Sequence, residues 1–363
     1  MSVRKKVIVG LSGGVDSSVA AYLLKEEGYD VTGVTMSIWD GKPSTGSSGK
    51  HACYGPDENK EIEEARELAA ILDIPYHVFD CSQRYKSLVL DYFKLEYLSG
   101  RTPNPCVKCN QLIKFGMLPD MARLNGLEFD YFATGHYARV NWSEQHQRYL
   151  LKKGMDPKKD QTYFIYRLSQ EQLSQLLFPN GNLTKQEVRE IASRINLPSS
   201  EKEESQDFYS GDYKDLLDVD DKPGNIVNSK RSVLGKHNGF WNYTIGQRKG
   251  LGVAYSEPLY VIELDPGKNE VIVGTHDEIM GSSFIVNDLN WIAFEDLSTP
   301  IEVKVKIRSV QKETDAIVEP SGQGTVKVTF HVPNDGITPG QSAVFYQDDI
   351  VVGGGVIKEI DKK

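Results

Sequence analysis

The stretch Gly10-Leu11-Ser12-Gly13-Gly14-Val15-Asp16-Ser17-Ser18 follows the apolar run Val7-Ile8-Val9 and runs into a periodic segment from Val15 to Glu27. Val19, Ala20, Leu23 and Leu24 share one face of that segment, so the stretch reads as strand, tight turn and helix. Glycines let the chain turn sharply and bring its N–H groups against an anion, while the helix N-terminus adds a favourable partial charge. Ser12, Ser17 and Ser18 can donate hydroxyl hydrogen bonds to phosphate oxygens. Asp16 is the odd member. A carboxylate repels a phosphate unless a cation stands between them, which implies Mg²⁺. No lysine follows the glycines as in a Walker A loop, and the spacing is not that of a dinucleotide fingerprint.

Working outward, strand and helix signals alternate. Val31 to Met36 reads as a second strand, and Ile62, Ala65, Leu68, Ala69 and Leu72 recur at helical spacing before a short strand at Tyr76 to Phe79. A helix from about Arg84 to Leu98 and a strand at Tyr131 to Thr134 follow. This order predicts an α/β fold, a parallel sheet with helices on both faces. Gly41 to Gly49 is rich in Gly and Ser and reads as a mobile loop. Thr184 to Glu187 is a capping-box pattern opening a helix through about Ile195. After Pro198 the helical rhythm stops, and from about Gly224 short strands and turns take over. Ile301, Val303, Val305 and Ile307 alternate with Glu302, Lys304, Lys306 and Arg308, the period of a half-buried strand. The predicted division is a catalytic domain over 1–205, a small central domain over 206–282 and a C-terminal β-barrel over 283–363.

The composition sets limits. A 39% hydrophobic share fits a folded chain, and no apolar run approaches the ~20 residues of a membrane span. The basic start breaks at once into glycines, which is not a secretory leader, so a cytoplasmic protein with no membrane partner is expected. A net charge of −9 argues against nucleic-acid binding by overall field and leaves room for a local basic face. Four cysteines are too few for a disulfide framework.

Two of the four stand in Gly100-Arg101-Thr102-Pro103-Asn104-Pro105-Cys106-Val107-Lys108-Cys109-Asn110. The prolines exclude helix before the pair, and Asn110 can cap a helix from about Leu112 to Leu124. Cys109 would then sit at a helix N-terminus beside Lys108, both favouring thiolate, able to carry a persulfide or ligate a metal.

The Gly10 to Ser18 loop resembles that of the ATP-pyrophosphatase (PP-loop) superfamily, which adenylates a substrate oxygen. With the cysteine segment, Ala133-Thr134-Gly135-His136-Tyr137-Ala138-Arg139, Lys159-Asp160-Gln161-Thr162-Tyr163-Phe164 and Asn242 to Gly252, nearly the whole chain resembles the tRNA-specific 2-thiouridylase family. That resemblance implies ATP-driven adenylation of the C2 oxygen of a wobble uridine and its replacement by sulfur. The substrates would be the tRNAs for lysine, glutamate and glutamine, and the sulfur would come from a donor or relay protein. It assigns ATP contacts to Gly10, Leu11, Ser12, Gly13, Gly14, Val15, Asp16, Ser17, Met36 and Gly135. It places Asn104, Pro105 and Cys106 at the target base, Cys109 as a catalytic cysteine, and Lys159, Asp160, Gln161 and Arg308 on tRNA. Catalysis would rest on Cys109, Cys106 and Asp16.

One departure stands out. The family's second catalytic cysteine follows a Ser-Gln segment, and Glu204-Ser205-Gln206-Asp207-Phe208-Tyr209 places Tyr209 there. Either Cys106 and Cys109 form the exchange pair, or Cys53 or Cys81 joins them as the third ligand of an iron–sulfur cluster, or sulfur comes from an external donor. Two rival functions fit parts of the pattern: another adenylating PP-loop enzyme, and a tRNA-binding protein that has lost sulfur chemistry. His136 can be an acid–base group or a structural hydrogen-bonder, and Trp241 and Tyr243 can stack on bases or fill a small core.

Overall fold

The computed structural model describes residues 4–41, 52–198, 207–209 and 211–361. The Gly- and Ser-rich loop falls almost wholly outside these residues.

Five parallel strands form the first sheet, in the order Tyr76–Asp80, Asp30–Ser37, Lys6–Gly10, Tyr131–Thr134 and Leu176–Leu177. Lys6–Gly10 is central, and its Val7 to Val9 run is apolar without interruption because both faces are covered. Val7 and Val9 pack among Val15, Val19, Leu24, Ala65, Leu68 and Val188. Ile8 faces the opposite layer of Ile113, Phe115, Leu118 and Phe132. The expected helices are present at Val15–Glu26, Glu58–Ile71 and Lys185–Arg194, the last opened by a capping box with both halves formed. The helix expected from Arg84 begins at Ser82 and contains a π-helical stretch, Lys86–Leu90, before Asp91–Leu98.

A second sheet has the order Val233–His237, Gly224–Asn228, Glu270–Gly274, Tyr260–Asp265. The third is a barrel of six antiparallel strands running Gly281–Trp291, Thr325–Asn334, Thr314–Gly322, Ile301–Lys306, Ser342–Gln347 and Ile350–Ile360, closed by pairing of the first with the last. The alternation holds: Val303 and Val305 are buried while Glu302 and Lys304 are exposed.

Two long-range pairings had no sequence signal. The hairpin Ala138–Ser143 with Arg148–Lys153, from the first half of the chain, adds to the barrel through Lys152 opposite Ile350. Asp207–Tyr209 pairs in parallel with Ala52–Tyr54, which brings Tyr209 beside the strand carrying Cys53. No helix among the described residues is long and apolar enough to cross a membrane.

Candidate active site

The carboxyl ends of the central strands open onto a cavity of about 340 Å³. Every expected nucleotide contact except Gly13 lines it, joined by Cys53, Glu58, Glu61, Lys114, His136 and Gln161. Gly13 shapes the loop from behind: its φ is +69°, and a side chain there would stand 3.0 Å from the carbonyl oxygen of Glu61. Gly135 is required for close approach, since a Cβ would lie 2.6 Å from the backbone of Asp16 and Ser17. Ser12 N–H donates to Ser17 Oγ at 3.2 Å, and Ser17 Oγ donates to Gly14 O at 3.1 Å. Ser18 was expected at phosphate, but it is fully buried and donates to Gly14 O at 2.9 Å. Its hydroxyl closes the first helical turn instead.

The cation required by Asp16 is supplied by the chain itself. Lys185 Nζ lies 2.7 and 2.8 Å from the two carboxylate oxygens of Asp16, and Tyr137 Oη donates to Oδ1 at 2.7 Å. Asn180 Nδ2 donates to the carbonyls of Asp16 and Gly135, at 2.8 and 3.1 Å. The charge of Asp16 is thus balanced within the chain by an ion pair with Lys185, which answers its repulsion of a phosphate without deciding on Mg²⁺. Lys185 is the first residue of the helix opened by Thr184, so the capping box aims it. Glu58 accepts from the N–H groups of Ile38 and Trp39, at 2.6 and 2.9 Å, and from Ser37 Oγ at 2.7 Å, holding the end of the second strand.

The cysteine segment corrects a second expectation. The helix starts at Pro105, with Asn104 as N-cap accepting from Val107 N–H at 3.2 Å. Proline suits the first helical position because it needs no N–H partner there. Asn110 lies inside the helical run and donates to Phe164 O at 3.1 Å. Cys109 is thus the fifth helical residue, away from the positive helix end, and burial pushes its thiol up to about 12. Lys108 turns to Asp288 at 3.5 Å and lies over the ring of Tyr92. Cys106, at the second helical position, is the thiol near the N-terminus. The run continues as a π-helix, Asn110–Met117, which carries Lys114 into the cavity.

Cys53, Cys106 and Cys109 all act on the buried phenol of Tyr85, whose pKa is raised chiefly by its burial and further by the charges of these thiols. None of the four cysteines is in a disulfide. Among the described residues no three His, Cys, Asp or Glu side chains converge to hold a metal ion. Cys81 is buried against the sheet and burial drives its thiol up to about 11. His136 pairs with Thr134 Oγ1 at 2.7 Å between Phe115 and Phe178, and burial holds it neutral, well below its ordinary 6.5.

Comparison with known proteins fits this architecture segment by segment. Residues 5–209 match the tRNA methyl transferase HUP domain, 216–275 the tRNA methyl transferase PRC-barrel domain and 281–357 the aminomethyltransferase β-barrel domain. The tRNA-specific 2-thiouridylase MnmA of Endomicrobium trichonymphae is 51% identical over 98% of this chain and 100% of its own length. The chain belongs to the tRNA-specific 2-thiouridylase family. The MnmA 1 protein of Caldanaerobacter subterraneus subsp. tengcongensis is 48% identical over 99% of each chain. The tRNA-specific 2-thiouridylase MnmA of Desulforamulus reducens is 45% identical over the full length of both chains.

Against that family, the residues expected on tRNA divide. Asp160 turns inward, accepting from Thr162 Oγ1 at 2.8 Å and from Gly154 N–H at 3.3 Å, and burial raises its carboxyl. Gln161 accepts from Tyr137 N–H at 2.9 Å and lines the nucleotide cavity. Lys159, between the two turns, is half-buried. The strand expected to run through Arg308 ends at Lys306. Arg308 Nη2 donates to Ile245 O at 3.0 Å and Thr338 Oγ1 at 3.1 Å, so it clamps the barrel to the central domain. Trp241 is buried in the core of that domain. Tyr209 is also a core residue: its hydroxyl donates to Asp215 at 3.2 Å and its ring lies 6.0 Å from Tyr54. Lys114, Glu58, Lys185 and Gln161 were missed as cavity or loop-supporting residues. Lys185, opening a capped helix, and Gln161, in the stretch assigned to tRNA, stood at a sequence signal that pointed to another role.

Proposed function

We propose that this chain is a tRNA-uridine 2-sulfurtransferase that uses ATP, entering as its magnesium complex, to adenylate the C2 oxygen of the wobble uridine. The C2 oxygen bonds to the α-phosphorus, pyrophosphate leaves, and a sulfur nucleophile then attacks C2 and expels AMP. The observation that carries this reading is one helical run: it holds Cys106 and Cys109 near its start and, further along, Lys114 in the wall of the phosphate-loop cavity. Activation and sulfur delivery therefore share one site. The domains taken at 1–205, 206–282 and 283–363 divide the work into adenylation, connection and tRNA grip.

Sulfur delivery is assigned to Cys106 and Cys109, with Cys106 the thiol favoured by the helix N-terminus. Three cysteines around Tyr85 are the donor set of an iron–sulfur cluster, but as placed they do not converge on one, so the reading routes sulfur through the Cys106–Cys109 pair. Asp16 and Lys185 hold the loop, and the substrates are the wobble-uridine tRNAs for lysine, glutamate and glutamine.

The test is tRNA-dependent product analysis by mass spectrometry. Wild type is expected to release AMP and pyrophosphate and to exchange oxygen for sulfur on uridine. Cys106→Ser and Cys109→Ser are expected to abolish sulfur insertion while keeping ATP and tRNA binding, and Cys81→Ser to behave as wild type. Cys53→Ser discriminates: harmless for pairwise exchange, inactivating for a cluster. Full activity of Cys106→Ser removes both versions.

A further inference from the structure

We propose that the ammonium of Lys114 is a catalytic cation of the adenylation step, holding the α-phosphate of ATP where the nucleotide meets the uridine. This rests on the adenylation reading and adds a residue to it. Among the described residues lining the cavity, Lys114 is the only lysine or arginine, facing Asp16, Glu58 and Glu61. Asp16 is paired with Lys185, and Glu58 is occupied by Ser37, Ile38 and Trp39. His136 is neutral. Lys114 itself makes no hydrogen bond or ion pair among the described residues, and it is half-buried. A partly desolvated ammonium with no protein partner gains one when an anionic ligand arrives.

Its position selects which phosphate. A π-helical turn closes between residues five apart, so Lys114 falls one turn beyond Cys109. Lys114 lines the cavity together with His136 and lies on the helical run that carries Cys109, and its charge acts on both groups. The glycine loop and the helix beginning at Val15 form the other wall, suited to the departing pyrophosphate. The uridine carbonyl must be reached by sulfur, so the α-phosphorus it attacks lies on the cysteine side. In the step, the C2 oxygen–phosphorus bond forms, the bond from phosphorus to the bridging oxygen breaks, and pyrophosphate departs with that electron pair. The N3 proton passes to water. Negative charge grows on the bridging and α-phosphoryl oxygens, where a preoriented ammonium is most effective.

The experiment uses the full chain with ATP and wobble-uridine tRNA, comparing Lys114→Met and Lys114→Arg. Lys114→Met is expected to lower kcat for pyrophosphate release about 100-fold, with KM for ATP changed less than about threefold. Lys114→Arg is expected to recover activity to within about tenfold of wild type, because the charge is retained. With α,β-methylene-ATP bound, the ³¹P signal of the α-phosphorus should move between wild type and Lys114→Met more than that of the γ-phosphorus. Pyrophosphate release by Lys114→Met within about threefold of wild type overturns the inference, as does equal loss in both variants with a lowered unfolding midpoint. If Lys114→Met does not fold, Lys114→Gln takes its place in the same ³¹P comparison, an α signal that moves no more than the γ signal overturning the inference. Release of ADP and orthophosphate by wild type overturns the adenylation reading itself, and this inference with it.

Discussion

Asp16 carries a negative charge into an anion-binding loop, and Lys185 makes that tolerable. The lysine side chain is 9% exposed and the aspartate 26%, so removing one partner strands the other in a poorly hydrated place. Asp16→Ala is expected to cost about 3 kcal/mol in urea unfolding and to abolish pyrophosphate release. The double change Asp16→Ala with Lys185→Met should regain most of the stability and none of the activity. A single variant as stable as wild type would remove the ion pair as the support of the loop. The residue type at position 16 was legible because glycine–serine loops with an acid in this place bind nucleotide phosphates. Its partner was not, because it lies 169 residues away in the chain. The cysteines show the opposite failure. Asn104 and Pro105 form a correct N-cap and first-position signal, yet the start of the helix was assigned to Asn110. The six residues between Asn110 and Asn104 as cap move Cys109 away from the positive helix end and pack it, partly buried, against the core.

At the scale of elements, the helix Lys185–Arg194 matters because its first residue is the counterion. Thr184 Oγ1 accepts from Glu187 N–H and Glu187 accepts from Thr184 N–H at 2.7 Å. Thr184→Ala is expected to cost about 1 kcal/mol in thermal or urea unfolding, and Thr184→Ser to restore it. KM for ATP should rise in Thr184→Ala by no more than a few-fold, since Lys185 is also held by Asp16. An unchanged midpoint would show that the cap does not orient this helix. The π-helical stretches Lys86–Leu90 and Asn110–Met117 belong to the same scale and were not legible. A π-turn has the composition of an α-turn, and packing chooses between them.

The whole molecule couples its barrel to the cysteine segment. Thr102 N–H donates to Pro339 O at 2.9 Å, and Gln341 Nε2 donates to the carbonyls of Thr102 and Pro103 at 3.0 and 3.1 Å. Arg167 bridges Gln111 Oε1 at 2.7 Å and Asp288 Oδ1 at 2.8 Å across the same boundary. The approach to Asn104, Pro105 and Cys106 is thus held by the turn that precedes the strand Ser342–Gln347, more than 200 residues further along the chain. Gln341→Ala is expected to reduce 2-thiouridine formation about tenfold, because small displacements of a reacting group are costly, while ATP affinity by calorimetry stays constant. Normal thiolation in that variant would sever the barrel from the chemistry.

What the sequence by itself determined is what contacts within a few residues decide. The uninterrupted apolar run Val7 to Val9 implied a strand covered on both faces, the alternation from Ile301 a half-buried one, and the Gly10 to Ser17 loop a phosphate site. The tertiary structure alone decided which distant groups meet. It set Lys185 on Asp16, Lys114 and Cys53 in the nucleotide cavity, Tyr209 in the aromatic core beside Tyr54, and the hairpin at 138–153 on the barrel. Periodicity and capping are properties of a segment. An ion pair or a strand register across the fold is a property of how segments pack, and local sequence carries no mark of it.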